Sequence, residues 1–500
     1  MWRRARAWAG GHLPAGSPGR RFAAGAFWSL VGTALSQGLR VLAFMFAARL
    51  LGKAVFGQLG ILQATAGMAG VLAGLGAGLT AARHVAGFRH TDPRRAGRTV
   101  GLCLLLSSAS GLLFAVALLA LAPFLAGQVM KTPGLTPELR MMAGFVLVST
   151  VFGAQTGVLA GLEAFRKVAQ IGLLQGLLTL PAIIVGARAG ELFGVAAALT
   201  AAGFVTCLAQ QSLLLRECRR AGIVIARPGR SEWEMLGRFS VPAMLCGVLS
   251  TPAYWVAASI LVNQPNGFEE MGAFSAANQW RALIVFLPAI LERSTLPVLS
   301  DLNARGDLAA YRRTLFTHLT LAAGAAAACA LLVSVLSPFI MRGYGQGFGA
   351  NGPVLALLAW ASVFNAATTA AGTAIISRGD MWWAMLFNLL WAICLIGAAA
   401  VLAPRFGATG LSAAFLISYA AHAGWTCSYW LVIERRLRQA LRGGGARSAG
   451  HARRVPGTLP ILSDSDKRQT GQAARSRTAT AKTPLALMDR ASAGCGTDGG

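Results

Sequence analysis

Ser29, Thr33, Ser36, Gln37 and Arg40 recur at helical intervals through the otherwise apolar stretch 22–48, and Asn278 stands one turn before Arg281 in the apolar stretch 273–296. Each set falls on one face of a helix. An arginine at the centre of a membrane helix costs about 2.5–3.5 kcal/mol on insertion scales, so it belongs against water, a partner or a ligand. Arg40 lies 9 residues before Arg49, about 13 Å deeper along a helix axis. Interhelical hydrogen bonding accounts for the hydroxyls. It does not account for the charge, so Arg40 and Arg281, supported by the amides of Gln37 and Asn278, are the candidate anion-binding residues. Glu292 and Arg293 form a candidate ion pair or gate. Ser362, Asn365 and Thr369 share a face that packing explains, and His318 and His422 stand alone in apolar runs as packing histidines.

Catalysis would need convergent acids, bases or metal ligands, often on a long external loop. The sequence offers none, and it calls for no enzyme activity, no cofactor and no metal. Gly70, Gly74 and Gly78, four residues apart, mark close helix packing rather than a phosphate loop. A nucleotide-binding glycine loop ending in Lys-Ser or Lys-Thr is also missing.

The elements that position these residues are membrane helices. Hydrophobic residues make up 55% of the chain and charged residues 13%, and the mean hydropathy is +0.57. Apolar runs of spanning length recur near 22–48, 55–82, 99–121, 140–160, 169–187, 193–214, 239–263, 273–296, 314–337, 353–375, 383–402 and 409–432. Runs of about 20 residues span a bilayer as helices, so the fold class is all-α, a polytopic bundle of about twelve spans. The first run is too long for a signal-peptide core and is kept as a span. Pro181, Pro242, Pro252 and Pro288 are candidate bending points.

Lys and Arg concentrate in alternate loops, at 3–21, 83–98, 166–167, 216–230 and 305–313, while the opposite loops hold little beyond Arg49, Lys53, Lys131, Arg188, Arg342 and Arg405. The positive-inside rule then makes both termini cytoplasmic. None of the 8 cysteines falls in an external loop, so no disulfide is implied. The net charge of +27 is spread over these loops and the tail; it suits topology and anionic headgroups better than nucleic acid. The expected organisation is a basic N-terminus (1–21), a first six-helix half (22–214), a linker (215–238), a second six-helix half (239–432) and a basic tail (433–500) that reads as disordered. Ser463-Asp464-Ser465-Asp466 in that tail has no supporting fold for metal chemistry.

The halves repeat. Phe22 after Gly19-Arg20-Arg21 pairs with Phe239 after Gly237-Arg238, an offset of 217; Pro123 in Leu121-Ala122-Pro123-Phe124 pairs with Pro338 in Leu336-Ser337-Pro338-Phe339, an offset of 215; Arg166 pairs with Arg378, an offset of 212; Phe193-Gly194 pairs with Phe406-Gly407, an offset of 213. Two halves with even numbers of spans insert in the same orientation, related by an axis along the membrane normal, and such halves enclose a central path.

The stretch Ala48-Arg49-Leu50-Leu51-Gly52, followed by Phe56-Gly57, resembles the elbow between the first two helices of polysaccharide and O-antigen flippases, in the multidrug/oligosaccharidyl-lipid/polysaccharide exporter superfamily. Met271-Gly272-Ala273-Phe274-Ser275-Ala276-Ala277, Phe286-Leu287-Pro288-Ala289-Ile290 and Leu296-Pro297-Val298-Leu299 resemble its eighth span, and Arg342-Gly343-Tyr344-Gly345 through Pro353-Val354-Leu355 its ninth-to-tenth loop. Lys53-Ala54-Val55 departs from the proline and acidic residue frequent there. Glycines at 52 and 57 are expected to make the turn, with Arg49 and Lys53 snorkelling to the external interface. The resemblance covers roughly 20–435 and implies a bacterial inner-membrane transporter of undecaprenyl-diphosphate-linked oligosaccharide. It also implies contact with membrane lipids and with other polysaccharide-assembly membrane proteins. Glu163, Glu191 and Glu292 all lie near span ends, which separates the chain from a cation-coupled drug antiporter with buried mid-membrane carboxylates. That antiporter and an integral membrane polymerase or acyltransferase are the competing readings.

Overall fold

Helices carry almost all of the described chain because lipid leaves every backbone polar group to be satisfied within its own segment. The computed structural model describes residues 18–235, 249–378 and 380–443, with side chains between 32 and 432 apart from a few, Thr33 and Arg293 among them. The Gly237-Arg238-Phe239 motif, Pro242, the first half of the seventh predicted span and the tail beyond 443 fall outside those residues, as does the side chain of Ser29.

In chain order the helices are α1 (Pro18–Gly74), α2 (Ala77–Phe88), α3 (Pro93–Phe124), α4 (Thr136–Gly161), α5 (Phe165–Arg220), a short α6 (Arg230–Met235), α7 (Ser250–Val262), α8 (Gly267–Arg305), α9 (Leu308–Gly343), α10 (Gly352–Ser377) and α11 (Met381–Gly443). Three of them fold back once. Helical backbone breaks at Gly52 in α1 (φ 77°, ψ 169°), at Gly190 and Glu191 in α5 (Glu191 φ 45°) and at Gly407 in α11 (φ 55°, ψ −132°). With those breaks counted, the described helices supply all twelve spans, the seventh only from Ser250 onward. A break at Leu75 and Gly76, both at positive φ, divides the second span and was not foreshadowed by any charge or proline.

The repeat reaches the backbone itself. Left-handed residues at Gly52, Lys131 and Glu191 in the first half recur at Asn266, Gly345 and Gly407 in the second, at offsets of 214, 214 and 216. All six sit at turns on one side of the molecule, called here the elbow face; the opposite side carries the start of α1 and the end of α11.

Packing differs between the two faces. α1 packs on α5 within the first half and on α7 and α8 of the second. Phe56 sets its ring 6.3 Å from that of Tyr344 and 6.2 Å from that of Phe348, Asn263 Nδ2 donates to Val129 O at 2.7 Å, and Arg49 Nε donates to Gly343 O at 2.7 Å. Gly57 is needed here rather than in the turn: a Cβ at Gly57 would collide with the Phe268 carbonyl oxygen, whereas one at Gly52 would meet nothing within 4 Å. The expectation that both glycines shape the elbow is corrected accordingly: Gly52 takes the left-handed φ and Gly57 permits α8 to approach.

A single apolar core joins both halves toward the elbow face, including Phe56, Leu59, Met130, Phe274, Tyr344 and Phe415. Toward the chain ends the described core divides, with Ala81, Val85, Val100 and Cys218 in one half and Leu299, Tyr311 and Ala374 in the other. The halves are thus fused at one face and separate at the other. Extended residues after α5 stay with the first half: Gly97 and Gly101 leave room for the carbonyls of Val224 and Ala226, and the buried Glu232 carboxylate faces Arg98 at 3.3 Å and Arg95 at 3.9 Å.

Proline proves compatible with unbroken helix. α8 is continuous across Pro288 and Pro297, and α5 across Pro181, while the chain reverses at the glycine-containing breaks.

Candidate substrate cavity

A cavity of about 390 Å³ lies between the halves, bounded by α1, α7, α8 and α11. Phe56, Leu59 and Phe415 of the fused core form part of its wall. Its polar lining comprises Gln63, Ser250, Thr251, Tyr254, Ser275, Asn278, Gln279, Arg281 and Tyr419, with Phe44, Phe56, Trp391 and Phe415 as aromatic walls. Arg281 is the only charged residue among them. Its Nε donates to Asn278 Oδ1 at 2.8 Å, its guanidinium carbon stands 5.8 Å from the Phe415 ring centroid, and Tyr419 hydrogen-bonds it. The i,i+3 spacing on α8 makes the amide contact, and Phe415 beneath the guanidinium is itself packed in a cluster with Tyr254 and Phe274, with centroids 5.6–6.1 Å apart.

Ser275 Oγ and Trp391 Nε1 are buried without a protein hydrogen-bond partner, and both residues line this cavity. Buried polar groups left unmatched by protein are costly unless a ligand or water meets them. The site therefore offers one fixed cation, several amide and hydroxyl groups, and flat aromatic surfaces. Such a set binds an oxyanion together with a hydroxyl-rich, apolar-faced group.

A second cavity of about 380 Å³ adjoins the first, sharing Ser250, Trp391 and Tyr419. It is lined by Glu292, Asn365, Thr368, Thr369, Asn388, His422 and Thr426. Two sequence expectations change here. Asn365, Thr369 and His422 were assigned to packing, yet all three face this space, while Ser362 is buried and bonds Leu358 O at 2.8 Å. His318 does pack, with Nδ1 3.0 Å from Thr295 Oγ1.

Among the predicted site residues, Arg281 and Asn278 meet in the first cavity and Glu292 lines the second. Arg293 has no described side chain. Arg40 and Gln37 are half-buried and do not line either cavity; they lie one and two turns before Phe44, which does, on the same α1 face. Among the described residues Arg40 has no ion-pair partner. Gln63, Tyr254, Gln279, Trp391 and Tyr419 were missed, because a neutral amide or an aromatic ring in a membrane helix carries no insertion cost large enough to flag it.

Solved structures share this architecture. The inward-facing conformation of a multidrug resistance MATE family transporter of the MOP superfamily aligns with a TM-score of 0.62 at 15% identity, covering 84% of this chain and 96% of that one. A MOP superfamily transporter from Pyrococcus furiosus aligns with a TM-score of 0.63 at 16% identity, covering 85% and 97%. At such identities the likeness shows the fold. In sequence, the chain is 26% identical over 182 residues to the EPS I polysaccharide export inner membrane protein EpsE of Ralstonia nicotianae, covering 36% of this chain and 41% of that protein. It is 25% identical over 196 residues to the protein of the same name from Ralstonia solanacearum, covering 39% and 44%. The matched stretch thus spans less than half the length of these relatives. The model of the polysaccharide biosynthesis protein family matches residues 22–303, more than half of the 500, and the chain, a polytopic membrane protein, belongs to that family.

Proposed function

We propose that this protein moves an undecaprenyl-diphosphate-linked oligosaccharide from the cytoplasmic to the periplasmic leaflet by alternating access. The observation that carries this reading is the single charged residue, the half-buried Arg281, in a cavity otherwise lined mainly by amides, hydroxyls and aromatic rings. A diphosphate meets the guanidinium, sugar hydroxyls meet Gln63, Asn278 and Gln279, and the polyprenyl chain stays in lipid. Arg40, below Phe44 on the α1 face, adds a second positive charge on the way in. The Lys and Arg pattern makes the separated face cytoplasmic, which is the side where the substrate is loaded. In this reading 215–238 is the cytoplasmic linker between halves that rock against each other, and Glu292 beside His422 belongs to the closing path.

Deletion in the source bacterium tests the reading. Cytoplasm-facing undecaprenyl-diphosphate oligosaccharide should accumulate, and wild-type protein should clear it, whereas Arg281→Ala and Arg40→Ala at matched membrane levels should not. Normal export together with altered resistance to cationic drugs would contradict it. One observation favours a coupled antiporter as the second reading: Glu292 is the only carboxylate lining the two cavities and shares the second with His422. Transport abolished by collapse of the proton gradient and by Glu292→Gln, with cationic drugs as substrates, would favour it.

A further inference from the structure

The elbow face holds a third space whose chemistry the transport cavity does not use. Arg49 of the first half and Arg342 of the second line one cleft of about 660 Å³, together with Ala48, Gly52, Gly345 and Gln346. Both arginines are exposed, and among the described residues neither has an ion-pair partner. Arg49 spends only its Nε, on the Gly343 carbonyl at 2.7 Å. Arg342 places its guanidinium carbon 6.0 Å from the Phe339 ring centroid. The remaining N–H groups of both forks are free to meet an anion. Gly52 and Gly345, at φ 77° and 114°, turn the backbone here without a side chain that would fill the floor.

The surroundings select the kind of anion. Phe339, under Arg342, is 68% exposed; Leu50 and Phe46, beside Arg49, are 48% and 44% exposed. Large apolar side chains exposed on a membrane helix face lipid tails, so the cleft opens onto the boundary between headgroups and hydrocarbon. Guanidinium forks match phosphate geometry bidentately.

We propose that this cleft binds the phosphate of an anionic phospholipid headgroup, bridging Arg49 to Arg342 and stapling the two halves together at the elbow face. Because the arginines belong to different halves, a bound phosphate favours the state in which that face is closed. An anionic leaflet therefore slows opening on this side, independently of what the central cavity carries.

The test uses full-length purified protein titrated with phosphatidylglycerol, phosphatidylcholine or inorganic phosphate, with retained lipid counted by native mass spectrometry. Wild type should retain one phosphatidylglycerol more firmly than phosphatidylcholine. Arg49→Gln and Arg342→Gln should each weaken retention about fivefold, Arg49→Lys and Arg342→Lys less, and Arg405→Gln, an exposed basic change outside the cleft, not at all. Equal retention by all variants overturns the site. Displacement of the lipid by inorganic phosphate at equal concentration overturns the lipid as its source. Stapling is read separately, from labelling of Ser275→Cys by an impermeant maleimide applied at the elbow face, above the labelling of protein without that change. Labelling should be slower in phosphatidylglycerol than in phosphatidylcholine bilayers, with the difference lost in Arg49→Gln and in Arg342→Gln; equal rates in both bilayers for wild type overturn the staple.

Discussion

Arg281 illustrates what a single residue discloses in a membrane sequence. A charge in an apolar run demands a compensating environment, and the structure supplies it with Asn278, Tyr419 and an aromatic wall. Replacing Arg281 by Gln keeps volume and some hydrogen bonding but removes the charge. It should lower transport about 10- to 100-fold, the worth of one charge-assisted hydrogen bond set, with membrane levels unchanged; transport assays on matched vesicles check this. The aromatic lining was invisible beforehand: Tyr254, Trp391 and Tyr419 look like any packed aromatic until the halves are brought together. His84 offers a pH prediction outside the spans. Burial, then the neighbouring Arg83 and Arg95, push its pKa below the ordinary value. The folded state therefore disfavours protonation, and its contribution is present above the unfolded pKa of about 6.5 and lost as pH falls below it. Wild-type protein should lose more melting temperature between pH 7.5 and 5.5 than His84→Asn, measured in the same detergent.

At the scale of elements, span positions were legible because hydrocarbon thickness imposes a run length that little else in a sequence imitates. Turn chemistry was only partly so. The elbow at Gly52 was foreseen, while Leu75 and Gly76 break the second span with residues unremarkable in a glycine-rich run. Pro288, an expected bend, lies in continuous helix. Pro lacks an N–H donor, but in a membrane helix neighbouring helices and local adjustments re-satisfy the freed backbone groups. Gly57 and Gly52 separate two roles experimentally. Gly52→Ala strains a left-handed residue and should cost about 1 kcal/mol. Gly57→Ala drives a methyl into the Phe268 carbonyl and should cost about 1–3 kcal/mol while loosening the elbow face. Melting curves of the two variants should therefore rank Gly57→Ala as the less stable.

For the whole molecule, the fused core at one face and the divided cores at the other are, under the proposed function, one end of an alternating-access cycle. The duplication was readable as near-constant offsets, and it returned as paired left-handed turns such as Gly52 with Asn266. Which face would be closed was not readable, since both states use the same sequence and differ only in inter-half contacts. On the elbow face those contacts include the shared apolar core and single polar bonds between the halves. Asn263→Ala removes the cross-half bond to Val129 O, worth about 1 kcal/mol, and should raise the elbow-open population about fivefold, seen as faster elbow-side labelling of Ser275→Cys.

The most direct measurement is flipping by purified protein in proteoliposomes carrying undecaprenyl-diphosphate oligosaccharide in one leaflet, followed by the appearance of sugar accessible to an impermeant lectin on the other. Transfer should depend on the protein and fall at least tenfold with Arg281→Gln. Transfer at the protein-free rate, or undiminished transfer by Arg281→Gln, would contradict the proposed function.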